Sequence, residues 1–129
     1  MQLDYQRRRE LQENPGLKLP NAENAILPDR KFTNYLFGGE HPEGLAKGDA
    51  FTSRLGYSAD NWRELQDEIR VKASQYPSKY KDNNGYGDRY EQKMILYGKK
   101  GTPANIVVGW VYKKDGSVSM SSAYIKEVR

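Results

Sequence analysis

The spacing of apolar residues changes near Pro77. Before it they recur every three or four residues, and after it they alternate. The first spacing gathers side chains on one helix face and the second on one face of a strand. The chain therefore predicts helices first and strands second. Residues 2–13 read as a short polar helix in which Leu3 and Leu11 are too sparse for a firm apolar stripe, and Asn14-Pro15-Gly16 ends it. Residues 17–28 read as extended, with proline near both ends. Pro28 can open a helix on which Phe32, Tyr35 and Leu36 share an apolar face, until Gly38-Gly39 stops it. The loop 40–44 leads to a helix over about 45–55, with Ala46, Ala50 and Phe51 facing the core. Ser58 is placed to cap a helix over about 59–75 with the stripe Trp62, Leu65, Ile69 and Ala73.

Beyond Pro77 the elements are strands. Residues 78–81 form a short one, and Asp82-Asn83-Asn84-Gly85 is strong turn chemistry. Residues 88–97 put Tyr90, Met94 and Leu96 on one face. Residues 104–113 are the most apolar strand, and Lys114-Asp115-Gly116-Ser117 signals a hairpin into the alternating segment 118–126. Trp62 and Trp110 are assigned to the core. The class that follows is α+β, with N-terminal helices packed on one face of a three- to four-stranded antiparallel β-sheet. Residues 1–18 read as an N-terminal arm or linker and 19–129 as a single domain.

Composition narrows the function. The 129 residues suit one domain, and 15 aromatics can fill its core although 29% of residues are charged. No apolar run is long enough to span a membrane, and the N-terminus lacks the apolar stretch of a signal peptide. Without cysteine, disulfides and thiolate chemistry are excluded, and one histidine cannot build a zinc triad. Neither a P-loop nor a dinucleotide loop is present, since Gly85-Tyr86-Gly87 lacks the strand–turn–helix setting. No metal and no cofactor is expected. The net charge of +4 is uneven. Residues 1–75 hold 11 Lys+Arg against 12 Asp+Glu, and residues 76–129 hold 10 against 5. Seven of the ten tyrosines also follow residue 75. Cations interleaved with aromatic rings suit RNA, although a lysine-rich surface over a tyrosine-rich sheet has the same composition.

Metal-independent RNA cleavage needs a base for the 2′-OH, an acid for the leaving oxygen and donors for the charged phosphorane. Histidine is the side chain that changes charge near neutral pH, so His41 is the first candidate acid or base. Lys47 follows near the start of a helix, where a phosphate is favoured and a lysine adds a point charge. Ser122 and Tyr124, two apart on the last strand, present hydroxyls on one face. Arg89 is a candidate phosphate ligand, and Tyr80 and Tyr86 are candidate stacking platforms. Each also has an ordinary reading: a capping loop histidine, a solvated lysine, a hairpin surface.

The segments Leu19–Pro28, Lys31–Leu36, Glu40-His41-Pro42 with Gly44 and Lys47, and Phe51 with Leu55-Gly56-Tyr57 form a pattern with Tyr86–Tyr90, Gly109-Trp110 and Ser122-Ala123-Tyr124. It resembles a small bacterial domain of unknown function that often ends large polymorphic toxins, including contact-dependent inhibition effectors. That domain is similar to the barnase–EndoU–colicin–RelE group of metal-independent ribonucleases. The resemblance covers about residues 19–126. It implies an active cleft of His41, Lys47, Ser122 and Tyr124, with Ser122 where the family usually carries threonine. It also implies a cognate immunity protein with an acidic face. The expectation is an antibacterial toxin-type endoribonuclease, a monomer that cuts RNA (tRNA among the candidates). It would be secreted as part of a larger toxin and delivered to the target-cell cytoplasm. The alternatives are a non-catalytic RNA- or protein-binding module on the basic half, or an immunity or adaptor protein.

Overall fold

The structure, a computed structural model, describes residues 2–126. Met1 and residues 127–129, which the domain reading includes, lie outside the described residues. Three α-helices, α1 (Gln2–Glu13), α2 (Pro42–Leu55) and α3 (Trp62–Lys72), precede four strands. These are β1 (Ser78–Asn83), β2 (Gly87–Leu96), β3 (Ala104–Lys113) and β4 (Val118–Ile125), and a π-helix spans Lys31–Leu36 before α2. The strands form one antiparallel sheet in the order β1-β2-β3-β4. The class is α+β, as the two periodicities predict.

One sheet face carries the main core. Met94, Leu96, Ile106, Val108, Trp110, Val118, Met120 and Ala123 are buried there against Phe32, Leu36, Phe51, Leu55, Leu65, Ile69 and Ala73. The α3 stripe is as the spacing predicts, except that Trp62 is only half-buried and stacks on Phe32 at 5.9 Å. The start of α3 differs from expectation. Asn61, not Ser58, is the residue before the first turn. Ser58 Oγ instead accepts the Asp60 N–H, and Asn61 Oδ1 accepts the Ser58 N–H, so a turn replaces the cap. Gln92, fully buried, joins α3 to the sheet. Its amide donates to the Ala73 and Tyr76 carbonyls at 2.8 and 2.9 Å and accepts the Trp110 indole N–H at 3.0 Å. Both amide hydrogens and the carbonyl oxygen are engaged, as a buried amide requires.

The α2 face also differs. Ala46 is exposed, and the residues turned inward are Gly44, Gly48, Phe51 and Leu55. A Cβ on Gly48 would overlap the Leu36 carbonyl, and one on Gly44 the Tyr35 carbonyl. Glycine lets the two backbones touch, which no larger residue does at these positions. The helix also begins three residues earlier than expected, because Pro42 has a φ suited to a first turn.

Residues 17–28 are not simply extended. Short 3₁₀ turns lie at Pro15–Leu17 and Ala22–Asn24, with single bridges from Lys18 to Pro77 and from Ile26 to Ser119. The second bridge covers part of the β4 edge, which limits unpaired edge groups. Helix α1 buries only Asp4 and docks through polar groups. Asp4 accepts from the Tyr76 and Tyr97 hydroxyls and from Arg8. Arg7 donates to Asn105 at 2.5 Å and Arg8 to Gln75 at 2.6 Å. Asn105 pairs with Ile95, and both are buried, Ile95 outside the main core cluster. Helix α1 therefore touches the sheet face opposite α2 and α3.

Two expectations follow. Gly48→Ala should lower stability by about 1–3 kcal/mol in urea unfolding. Gly16→Ala, where an added methyl meets nothing within 4 Å, should change it by under about 0.5 kcal/mol; equal costs would refute the close approach. Asp4 gives a pH signature. Burial alone would raise its carboxyl, but hydrogen bonds from Tyr76, Tyr97 and Arg8 outweigh this and hold it at about 2. Its contribution should be complete above the unfolded carboxyl value, about 3.9, and should be lost as pH falls towards 2. Amide exchange in α1 should therefore rise over that window and already be raised in Asp4→Asn at pH 7. Protection unchanged by either would refute the tether.

Candidate active site

The glycine contact between α2 and the π-helix brings three polar side chains together. His41 is the N-cap of α2: its Nδ1 accepts the Gly44 N–H at 3.4 Å. Its ring is exposed and lies 5.3 Å, centroid to centroid, from the Tyr35 ring at 41°. Lys47, nearly two turns into α2, donates to the Tyr35 hydroxyl at 3.4 Å. The same ammonium is 5.5 Å from the Tyr35 ring centroid and 5.5 Å from that of Tyr124. Lys47 has no carboxylate partner among the described residues. The cluster is thus an open imidazole, an unneutralised ammonium and two phenols. A π-helix is rare, and single π turns recur at functional sites. This one sets Tyr35 between His41 and Lys47.

Paired residues on adjacent strands share a sheet face. Gly109 is opposite both Glu91 and Ser122, and Val107 is opposite both Lys93 and Tyr124. Ser122 and Tyr124 therefore occupy neighbouring rows of the face opposite the main core. The register shift at Gly109/Trp110 places Ser121 and Ser122 together over Gly109, where a Cβ would meet both hydroxyls at under 3 Å. Ser122 makes no hydrogen bond to His41, Lys47 or Tyr124 among the described residues.

The other candidates lie elsewhere. Arg89 forms a two-pronged pair with Asp82 at 2.5 and 2.6 Å, and its hydrogen bonds hold the Asp82 carboxyl below the usual range. Tyr80 is on β1, the sheet edge remote from β4, and meets Tyr90 edge-on at 5.7 Å. It borders a cleft of about 440 Å³ with Arg7, Lys93, Glu10 and Glu91. Tyr86 stands at the β1–β2 turn, 81% exposed. Tyr35 is the residue that sequence reasoning misses as chemistry. Its spacing with Phe32 and Leu36 marks it as core, and only the half-buried position of its ring shows otherwise. No group of three or more His, Asp or Glu side chains suited to a metal occurs among the described residues.

Residues 18–127 match the model of a family described as a domain of unknown function, DUF6883. No curated protein matches the chain. Among solved structures, the chain is similar in fold to one chain of the contact-dependent growth inhibition toxin–immunity protein complex from Klebsiella pneumoniae 342. The TM-score is 0.62 and the identity 19%, covering 78% of this chain and 99% of that one.

The cap and the chemistry at His41 separate by substitution. His41→Ala should cost about 0.5–1 kcal/mol of stability, and His41→Asn, which keeps a capping acceptor, should recover most of it. Equal urea midpoints for wild type and both variants would show that the 3.4 Å contact does not cap α2.

Proposed function

The chain belongs to the DUF6883 family, and from that premise we propose that it is a toxin-type endoribonuclease domain acting by acid–base catalysis without a metal. The observation that carries this reading is the convergence of His41, Tyr35, Lys47 and Tyr124 at an open surface. In the reaction the 2′-OH loses a proton to a base and its oxygen attacks the adjacent phosphorus. The bond to the 5′ oxygen breaks, and that oxygen takes a proton from an acid, leaving a cyclic phosphate. His41 is the proton-transfer group. Lys47 supplies positive charge to the phosphorane, and Tyr35, Tyr124 and Ser122 supply hydroxyls that hold its oxygens.

The capping bond constrains this chemistry. With Nδ1 accepting from Gly44, a neutral ring carries its hydrogen on Nε2. Accepting a proton at Nε2 requires the other tautomer, so the ring gives up a weak cap when it works as a base. The same bond favours a second reading, in which His41 only caps α2 and the domain binds RNA or a protein without cutting. Likeness in fold to a chain of a toxin–immunity complex supports a partner of that kind for this chain. The basic second half fits the toxin side, facing an acidic immunity protein, in a domain delivered to a target cell as the end of a larger secreted protein.

The purified chain should cleave RNA in EDTA, leaving 5′-hydroxyl ends. His41→Asn should retain the fold and lose at least about 100-fold in rate, and Lys47→Ala should lose a comparable amount. Full activity in His41→Asn would remove His41 from the chemistry. Salt-dependent binding of RNA that stays intact would favour the second reading.

A further inference from the structure

A second basic site lies at the other end of β4. Arg30 and Lys31, at the start of the π-helix, meet Lys113 of β3 and Tyr86 of the β1–β2 turn around a pocket of about 280 Å³, with Ser119 and Ser121 of β4 also lining it. None of the three cations has a carboxylate within ion-pair distance among the described residues, although Lys113 is near enough to Asp115 to help hold that carboxyl below its usual range, behind the Ser117 hydrogen bonds that dominate there. The neighbouring acid, Asp29, is engaged elsewhere: it accepts from Gln66 at 2.7 Å and lies 3.9 Å from Arg63. The larger cleft beside Tyr80 mixes Arg7 and Lys93 with Glu10 and Glu91, so an anion is favoured in the smaller pocket.

Both walls are held in place. Ile26 exchanges backbone hydrogen bonds with Val118 and Met120, each 2.8 Å, and Gln66 donates to the Leu27 carbonyl at 2.9 Å, which anchors the segment before Arg30. Across the pocket, the Asn84 side-chain oxygen accepts the N–H groups of Tyr86 and Gly87 at 2.9 and 3.1 Å, and Asn83 accepts that of Gly85 at 2.8 Å. The turn therefore presents an exposed tyrosine ring on a fixed backbone, which leaves little ordering cost when a ring stacks on it. Three cations with no acid in the pocket lining, beside a fixed, solvent-facing aromatic, suit a phosphate with its base, and the volume is near the lower end of small-molecule pockets.

We propose that the pocket framed by Arg30, Lys31, Lys113 and Tyr86 binds one nucleotide of single-stranded RNA flanking the bond to be cut. This rests on the reading of the chain as an RNA-acting domain. The link to the candidate active site is geometric: Ser121 and Ser122 lie together over Gly109, and Tyr124 is opposite Val107, two residues along β3 and about 7 Å away at strand rise. A strand of RNA with a base on Tyr86 and a phosphate among the cations would run along β4 towards Lys47.

The test uses a short oligouridine carrying 2′-O-methyl groups throughout, which no 2′-OH chemistry can cut, with binding read by fluorescence anisotropy. Tyr86→Ala should weaken binding about 5- to 100-fold with the salt dependence unchanged. Lys31→Ala with Lys113→Ala should weaken it at least 10-fold. The double variant should also flatten the slope of log affinity against log salt, by about 0.7 for each phosphate it no longer neutralises. All these side chains are surface groups, so circular dichroism should match wild type. Wild-type affinity in either variant, or no binding by the wild type, overturns the proposal. Variants that bind the probe normally but fail to bind an acidic immunity protein would reassign the pocket to a protein partner and overturn it too. Loss of probe binding in the variants, in a wild type that cuts no unmodified RNA, supports the pocket and sinks only the ribonuclease reading.

Discussion

Two glycines on one face of α2 set the geometry on which the candidate site depends. With Gly44 and Gly48 against the carbonyls of Tyr35 and Leu36, the π-helix and α2 meet backbone to backbone. Side chains that begin on the two elements then converge rather than splay apart. The Tyr35 ring falls between the imidazole that precedes α2 and the ammonium of Lys47. Dispersion gained by close packing is small per atom pair but summed over the contact. The same arrangement leaves the polar ends of His41 and Lys47 at the surface while Phe51 and Leu55 enter the core.

The sheet and α3 are legible in the sequence because their signals are local. The bounds of β3 coincide with the apolar run, and Leu65, Ile69 and Ala73 follow the helical spacing. The face of α2 is not, because a hydrophobicity pattern counts alanine and overlooks glycine. Gly44 and Gly48 contribute by lacking a side chain, and that becomes visible only when the opposing backbone is present. Tyr35 is hidden for a related reason, since a phenol at a core spacing has an apolar body and a polar tip. Of the four side chains that the resemblance implies for the cleft, Lys47 and Tyr124 flank one another. Ser122 is placed on the same sheet face as Tyr124, and Arg89 and Tyr80 belong to the opposite side of the sheet's strand order. Long-range placement of this kind depends on register, which alternation alone does not reveal.

Two modes of cohesion divide the molecule. One face of the sheet is held by apolar burial, with Gln92 as a fully satisfied polar node among Trp110, Ala73 and Tyr76. The other is held at α1 by charge-assisted hydrogen bonds centred on Asp4. Glu68 makes a third polar centre, accepting from Tyr57, Lys72 and the Tyr97 backbone; these donors outweigh the effect of burial and keep it below the usual carboxylate range. Acid therefore acts on the polar docking of α1 and α3 before it reaches the apolar core.

Each of the four strands pairs with its neighbour in sequence, and the long-range Ile26 bridge is added at the β4 edge. Closing a short turn costs little chain entropy, and architectures made of such local pairings assemble quickly. With no cysteine in the chain, nothing in the assembly waits on an oxidant. A strand threaded out straight through a narrow passage and released would rebuild this sheet one hairpin at a time, beginning with whichever turn emerged first.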